Sequence, residues 1–163
     1  RGFGWLYIYG EPGNGKTIMA KSAAIYSYQI ANFKTKYIKY SDMLNNLRAS
    51  YDEEDGQRIY ENKLKYYQGI RTLIIDELGR DRNTKFTDQT LSDIIDKRYV
   101  QAINQKGITI WVSNFKPEDI LEDYQIDRIR DGRFTVLEIQ GSSIRPVMKY
   151  QDEEDKKIAW WHK

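Results

Sequence analysis

The sequence predicts an α/β fold, a mostly parallel sheet with helices on both faces. Strand-like apolar runs alternate with helix-period stretches along the 163 residues, the pattern that winds a chain into such a sheet. A glycine-rich turn joins the first strand directly to the first helix. A hydrophobic content of 40%, with 13 tyrosines and four tryptophans, supplies a core for one domain over 1–163 and argues against disorder.

The elements follow in order. Trp5 to Tyr9 is the first strand, and a helix runs from about Lys16 to Phe33. Lys36 to Tyr40 is the second strand, and Ser41 has the side chain of an N-cap for a short helix ending at Leu47. Tyr51 to Gln68 is polar and helical after Gly56. Thr72 to Ile75 is dense enough in apolar residues for a central strand buried on both faces. Thr87 or Asp88 can cap a long helix on which Leu91, Ile94, Ile95, Tyr99 and Ala102 share one face. Gly107 punctuates before the strand Ile108 to Val112, and Pro117 opens another helix at its first turn. Phe134 to Ile139 alternates as the last strand, and a charged tail over 146–163 ends in Trp160, Trp161 and His162.

Composition excludes several classes. A net charge of +2, from 26 basic and 24 acidic side chains, is not the footprint of a protein that coats nucleic acid. With no cysteine there is neither a disulfide framework nor a thiolate metal site. That fits a cytoplasmic protein. The apolar runs are too short to cross a bilayer and no signal-peptide pattern is present, so no membrane partner is expected. The acidic runs Asp52 to Asp55 and Asp152 to Asp155 lack calcium-loop spacing and read as solvated charge. The chain opens at Arg1 and enters a strand almost at once, so a region ahead of it is expected.

The strongest motif is Gly10-Glu11-Pro12-Gly13-Asn14-Gly15-Lys16-Thr17, a full match to the phosphate-binding pattern G-x-x-x-x-G-K-[ST]. Polyphosphate is densely negative, and backbone N–H groups surround it only where the chain wraps tightly, which requires glycine at the bends. The following helix adds its N-terminal N–H groups and the positive end of its dipole. Lys16 would reach the β- and γ-oxygens, Thr17 would give its hydroxyl to Mg²⁺, and Ile18 completes the candidate nucleotide-binding stretch. The ligand set is ATP or ADP with Mg²⁺.

About sixty residues on, Leu73-Ile74-Ile75-Asp76-Glu77 is a strand ending in two acids. Asp76 would face the crevice at the carboxyl ends of the strands and hold the metal, through water. Glu77 is placed to polarise the attacking water as general base; its bland alternative is a surface or helix-capping carboxylate. An enzyme that phosphorylates a small acceptor needs no such base, so the pair favours hydrolysis. Asn114 ends the strand Ile108 to Val112, where its amide can orient water beside the γ-phosphate or simply turn the chain.

GEPGNGKT, LIIDELG, IIDKRY, ITIWVSN, DRIRDG and GSSIR occur in that order. Together they resemble the AAA+ core of the DnaC/DnaI/IstB group, in particular bacterial and phage helicase loaders, from Trp5 to about Arg145. The resemblance implies a three-layer P-loop sandwich with a five-stranded sheet in the order 5-1-4-3-2 and the acidic pair on the third strand. It implies that Asn114 senses the γ-phosphate and that Arg128 is an arginine finger acting on ATP held by a neighbouring subunit. Arg130 can substitute for Arg128; the alternative for either is a surface arginine paired with Asp127 or Asp131. Arg145 matches a second sensor arginine.

The implied partners are a replicative DnaB-type helicase, single-stranded DNA and further copies of the chain. The alternatives are a transposition ATPase acting on a transposase, and a switch that assembles on ATP with negligible hydrolysis. The resemblance also implies a helicase-binding domain ahead of the core, and it finds no counterpart for the tail after Pro146. Lys34, Lys36 and Lys39 with Tyr37 and Tyr40, and Arg58, Lys63 and Lys65 with Tyr66 and Tyr67, mix charge with stacking surface as single-strand binders do. The plainer expectation is that these tyrosines pack inward. Trp160 and Trp161 can dock on the core or a partner, or end the chain without structure.

Overall fold

The computed structural model describes residues 3–52, 54–80, 84–141 and 143–144. Its elements are β1 (Gly4–Gly10), α1 (Lys16–Ile25) continued by a π-helical turn (Tyr26–Ile30), β2 (Thr35–Lys39), α2 (Tyr40–Arg48), α3 (Gly56–Gly69), β3 (Thr72–Leu78), α4 (Lys85–Ile103), β4 (Ile108–Ser113), α5 (Pro117–Ile120), α6 (Asp123–Ile129) and β5 (Thr135–Ile139). The five strands form one sheet in the order β2-β3-β4-β1-β5. All four pairings are parallel. Read from the other edge this is 5-1-4-3-2, with the acidic pair on the third strand in sequence, as the resemblance implies.

Strand alternation divides the core in two. Ile8, Ile74, Ile110 and Val112 face α1, where Ala20 packs on them. Trp5, Tyr7, Leu73, Ile75 and Trp111 face the opposite way, under residues of α2, α3, α4 and α6. Leu73, Ile74 and Ile75 are each 0% exposed, which is why β3 reads as a continuous apolar run rather than an alternating one. On the α1 side Ile18, Met19, Ile25, Tyr26, Tyr28 and Ile30 stay exposed.

Several boundaries differ from the sequence expectation. The first helix is α-helical only to Ile25 and leaves helical geometry after Ile30 rather than at Phe33. Its wide last turn carries Ser27 inward, where its hydroxyl lies 2.7 Å from that of Thr72. Tyr40 opens α2 instead of closing β2, because its ring is buried and its hydroxyl donates to the Thr87 carbonyl at 3.1 Å. Ser41 therefore sits inside the first turn, and Lys39 is the extended residue before it. The cap of α4 is Thr84, neither Thr87 nor Asp88. The Thr87 amide donates to the Thr84 hydroxyl at 3.2 Å, and the Thr84 amide to the Thr87 hydroxyl at 2.7 Å. This is a capping box with threonine in the place where glutamate or glutamine is the usual sign.

Arg98 lies on the apolar side of α4 and is 0% exposed. Its guanidinium donates to Thr109 Oγ1 at 2.8 Å and to the carbonyls of Ile70 and Ile108. One side chain thus ties the ends of β3 and β4 away from the glycine loop to α4, and burial pushes its pKa down from the usual arginine range. Among the described residues no helix is long and apolar enough to cross a membrane.

Candidate functional site

The glycine loop leaves β1 at Gly10, where φ is 144° and a Cβ would stand 2.2 Å from the Ile139 carbonyl oxygen. Only glycine lets the loop pass that close to β5. Asn14 fastens the same spot, its Nδ2 donating to the Ile139 carbonyl at 2.6 Å. The chain after β5 then crosses back, and the Ile144 amide donates to the Gly13 carbonyl at 3.0 Å. Gly15, at φ 90°, turns the loop into α1. The amide groups of the first turn of α1 are aimed into the bend.

Lys16 is buried, and its ammonium donates to the carbonyls of Gly10 and Glu11, each at 2.7 Å, and to Asn14 Oδ1 at 3.1 Å. The loop carbonyls solvate a cation that polyphosphate oxygens can take over. Thr17 Oγ1 donates to Asp76 Oδ2 at 2.9 Å. Pro12, Gly13, Gly15, Lys16, Thr17 and Ile18 line one cavity of about 280 Å³ together with Asp76, Glu77 and Asn114. Gly10 and Glu11 line a separate depression behind the loop, which Asn114 also touches.

Asp76 is held by three donors. Besides Thr17, its Oδ2 accepts from the Tyr37 hydroxyl at 2.6 Å, and its Oδ1 accepts from the Glu77 amide at 2.8 Å. Burial and the Asp76 carboxylate both push the Tyr37 phenol up, so it stays protonated as a donor. Glu77 has φ 58°, a left-handed conformation uncommon outside glycine and a mark of functional turns. Its carboxylate meets Lys39 Nζ at 3.2 Å and Arg80 Nη1 at 3.1 Å. Sequence reading missed Tyr37, Lys39 and Arg80 in these roles, because none lies in a motif.

The turn after β4 is made by Ser113, whose hydroxyl donates to the Leu78 carbonyl at 2.8 Å and accepts from the Phe115 amide at 3.0 Å. Asn114 lines the cavity. Among the described residues no three His, Cys, Asp or Glu side chains cluster as a metal cage. The Thr17 hydroxyl, with the Asp76 carboxylate beside it to hold a metal-bound water, suits a Mg²⁺ ion that takes its other ligands from phosphate and water.

The arginines stand apart. Arg128 on α6 does not line the cavity; it pairs with Asp96 of α4, its guanidinium 5.6 Å from the Tyr99 ring and 5.5 Å from the Tyr124 ring. Arg130 pairs with Glu118. Both are thus paired with acids, as the alternative reading had it, but with Asp96 and Glu118 in place of Asp127 or Asp131; Asp131 is bound by Arg133 and by the Tyr99 hydroxyl at 2.8 Å. Arg145, the second acidic run, Trp160, Trp161 and His162 lie outside the described residues. Of the basic–aromatic clusters, Tyr40 and Tyr67 are buried and Tyr37 is turned onto Asp76, the plainer expectation, while Tyr66 remains exposed.

The family model of the IstB-like ATP binding protein matches residues 5–152. The chain belongs to that family. It is 26% identical over 144 residues to the replicative helicase loader DnaC of Buchnera aphidicola from Acyrthosiphon pisum, covering 86% of this chain and 56% of that protein. It is 30% identical over 158 residues to the insertion sequence IS232 putative ATP-binding protein of Bacillus thuringiensis, covering 92% and 59%. The chain therefore spans little more than half the length of these curated relatives. In fold it is similar to a DnaC helicase loader crystal structure, with TM-score 0.67 and 22% identity over 84% of this chain and 78% of that one. It is also similar to the replication initiator DnaA bound to AMPPCP and single-stranded DNA, with TM-score 0.70 and 16% identity over 94% and 46%. The fold is that of the AAA+ P-loop proteins, and the IstB-like family is an ATP-binding one.

Proposed function

We propose that this domain binds ATP with Mg²⁺ in the glycine-loop cavity and hydrolyses it, as the AAA+ core of a helicase loader. The observation that carries this reading is the meeting of the Thr17 hydroxyl and the Asp76 carboxylate, 2.9 Å apart on the cavity floor. Thr17 and Asp76 would hold a Mg²⁺ ion there, which would supply neutralisation of the phosphate charge. Lys16 leaves the loop carbonyls for the phosphate oxygens, Glu77 accepts a proton from the attacking water, and Asn114 orients that water. Arg128 and Arg145 are the candidate arginines for a site completed between copies of the chain. Assembly on a replicative helicase is supported by the likeness to the DnaC helicase loader, and single-stranded DNA is the further partner that the family resemblance implies.

A second reading, an ATPase that serves a transposase, is favoured by the likeness to the insertion-sequence protein. Co-purification of the full-length protein with a DnaB-type helicase or with a transposase separates the two. The catalytic reading is tested by Glu77→Gln, which keeps the nucleotide affinity of wild type and loses phosphate release. Turnover that survives this change removes Glu77 from the role of base.

A further inference from the structure

We infer that Tyr37 is a positioning residue that sets the Mg²⁺ affinity of the site, by fixing the Asp76 carboxylate in the orientation that meets Thr17. The inference rests on the proposed reading of Thr17 and Asp76 as the metal-holding pair. Tyr37 lies on β2 opposite Ile74, and Lys39 lies opposite Asp76, so Tyr37 is one same-face step back along the strand from Asp76. A phenol spans that step, and its hydroxyl reaches Asp76 Oδ2 at 2.6 Å. The same oxygen accepts from Thr17 Oγ1 at 2.9 Å, and Oδ1 accepts from the Glu77 amide at 2.8 Å. Both carboxylate oxygens are thus pinned.

When Thr17 turns its oxygen lone pair to a metal, its proton remains available to Asp76. Two hydrogen bonds to the protein, from Tyr37 and from the Glu77 amide, continue to hold the carboxylate plane. Without the phenol hydroxyl only the Glu77 amide holds it independently of the metal, and the oxygen nearest Thr17 is free to rotate away. The Tyr37 ring is itself held, packed against the sheet face under α1 with Lys21 Nζ 5.8 Å from its centroid. Groups that orient a metal-holding carboxylate set metal affinity by about 10- to 100-fold in known sites.

The test is a Mg²⁺ titration of a fluorescent ATP analogue bound to the protein, compared between wild type and Tyr37→Phe, with the analogue's affinity in EDTA and the thermal unfolding midpoint measured alongside. Phenylalanine keeps the ring packing and removes only the hydroxyl. The expected result is a Mg²⁺ midpoint raised about 10-fold or more, full restoration at excess Mg²⁺, and an unchanged affinity in EDTA. Equal midpoints in the two proteins overturn the inference. An affinity lost equally with and without Mg²⁺ overturns it as well, because Tyr37 then acts on the loop and not on the metal pair. A wild-type signal indifferent to Mg²⁺ overturns the metal reading of Thr17 and Asp76 itself, and so marks a different failure.

Discussion

Replacing Lys39 with alanine should speed ATP hydrolysis. Glu77 is the proposed base, yet its carboxylate is held by Lys39 at 3.2 Å and by Arg80 at 3.1 Å. A carboxylate turned toward two cations has to leave at least one of them to reach an attacking water. The pairs are partly exposed, with side-chain exposures of 48% for Lys39, 59% for Arg80 and 29% for Glu77. Such pairs are each worth about 0.2–1 kcal/mol. Removing one of them should therefore raise the population of released Glu77, and with it the single-turnover rate at saturating ATP, by about 1.4- to 5-fold. Raising ionic strength from about 0.05 to 0.5 M screens exposed pairs, so it should raise the wild-type rate and leave Lys39→Ala/Arg80→Ala nearly unchanged. The assay is rapid-quench phosphate release with ATP affinity measured separately. A slower Lys39→Ala at unchanged ATP affinity would refute the reasoning, since Lys39 would then be assisting the chemistry rather than restraining the base.

Other substitutions probe the frame around the site. Gly10→Ala sets a methyl 2.2 Å from the Ile139 carbonyl at a φ of 144°, and should abolish ATP-analogue binding and lower the unfolding midpoint in a thermal scan. Arg98→Met removes the guanidinium's hydrogen bonds to the carbonyls of Ile70 and Ile108 and to Thr109 Oγ1, and should cost about 2–4 kcal/mol of stability in a urea titration. Asp96→Asn weakens the hold on Arg128, and should lower by about 2- to 5-fold the protein concentration at which ATPase activity is half-maximal.

The parts of the site written contiguously were legible in the sequence. Gly10 to Thr17 carries its own geometry, because each glycine answers a bend within eight residues, and Asp76-Glu77 is marked by the apolar run it ends. Strand order came with the resemblance and agrees with the sheet. The residues that were missed act across the sheet. Tyr37 reaches Asp76 over a separation of 39 residues, and only strand pairing brings them together. Lys39 looked like part of a basic surface cluster but points its ammonium at Glu77. Arg98 carried no signal in the sequence, because arginine is usually solvated, whereas the Ile70 and Ile108 carbonyls and the Thr109 hydroxyl at the ends of β3 and β4 give it a buried place. The Thr84 cap escaped notice because its partner is threonine and not an acid.

Phosphate release from ATP, followed over a protein-concentration series with and without single-stranded DNA in wild type and Arg128→Ala, tests the central claim most directly. The account predicts specific activity that rises with concentration and with DNA and is lost in Arg128→Ala while ATP binding persists. Release that is absent, or flat with concentration and equal in the variant, would contradict a hydrolytic site completed between copies of the chain.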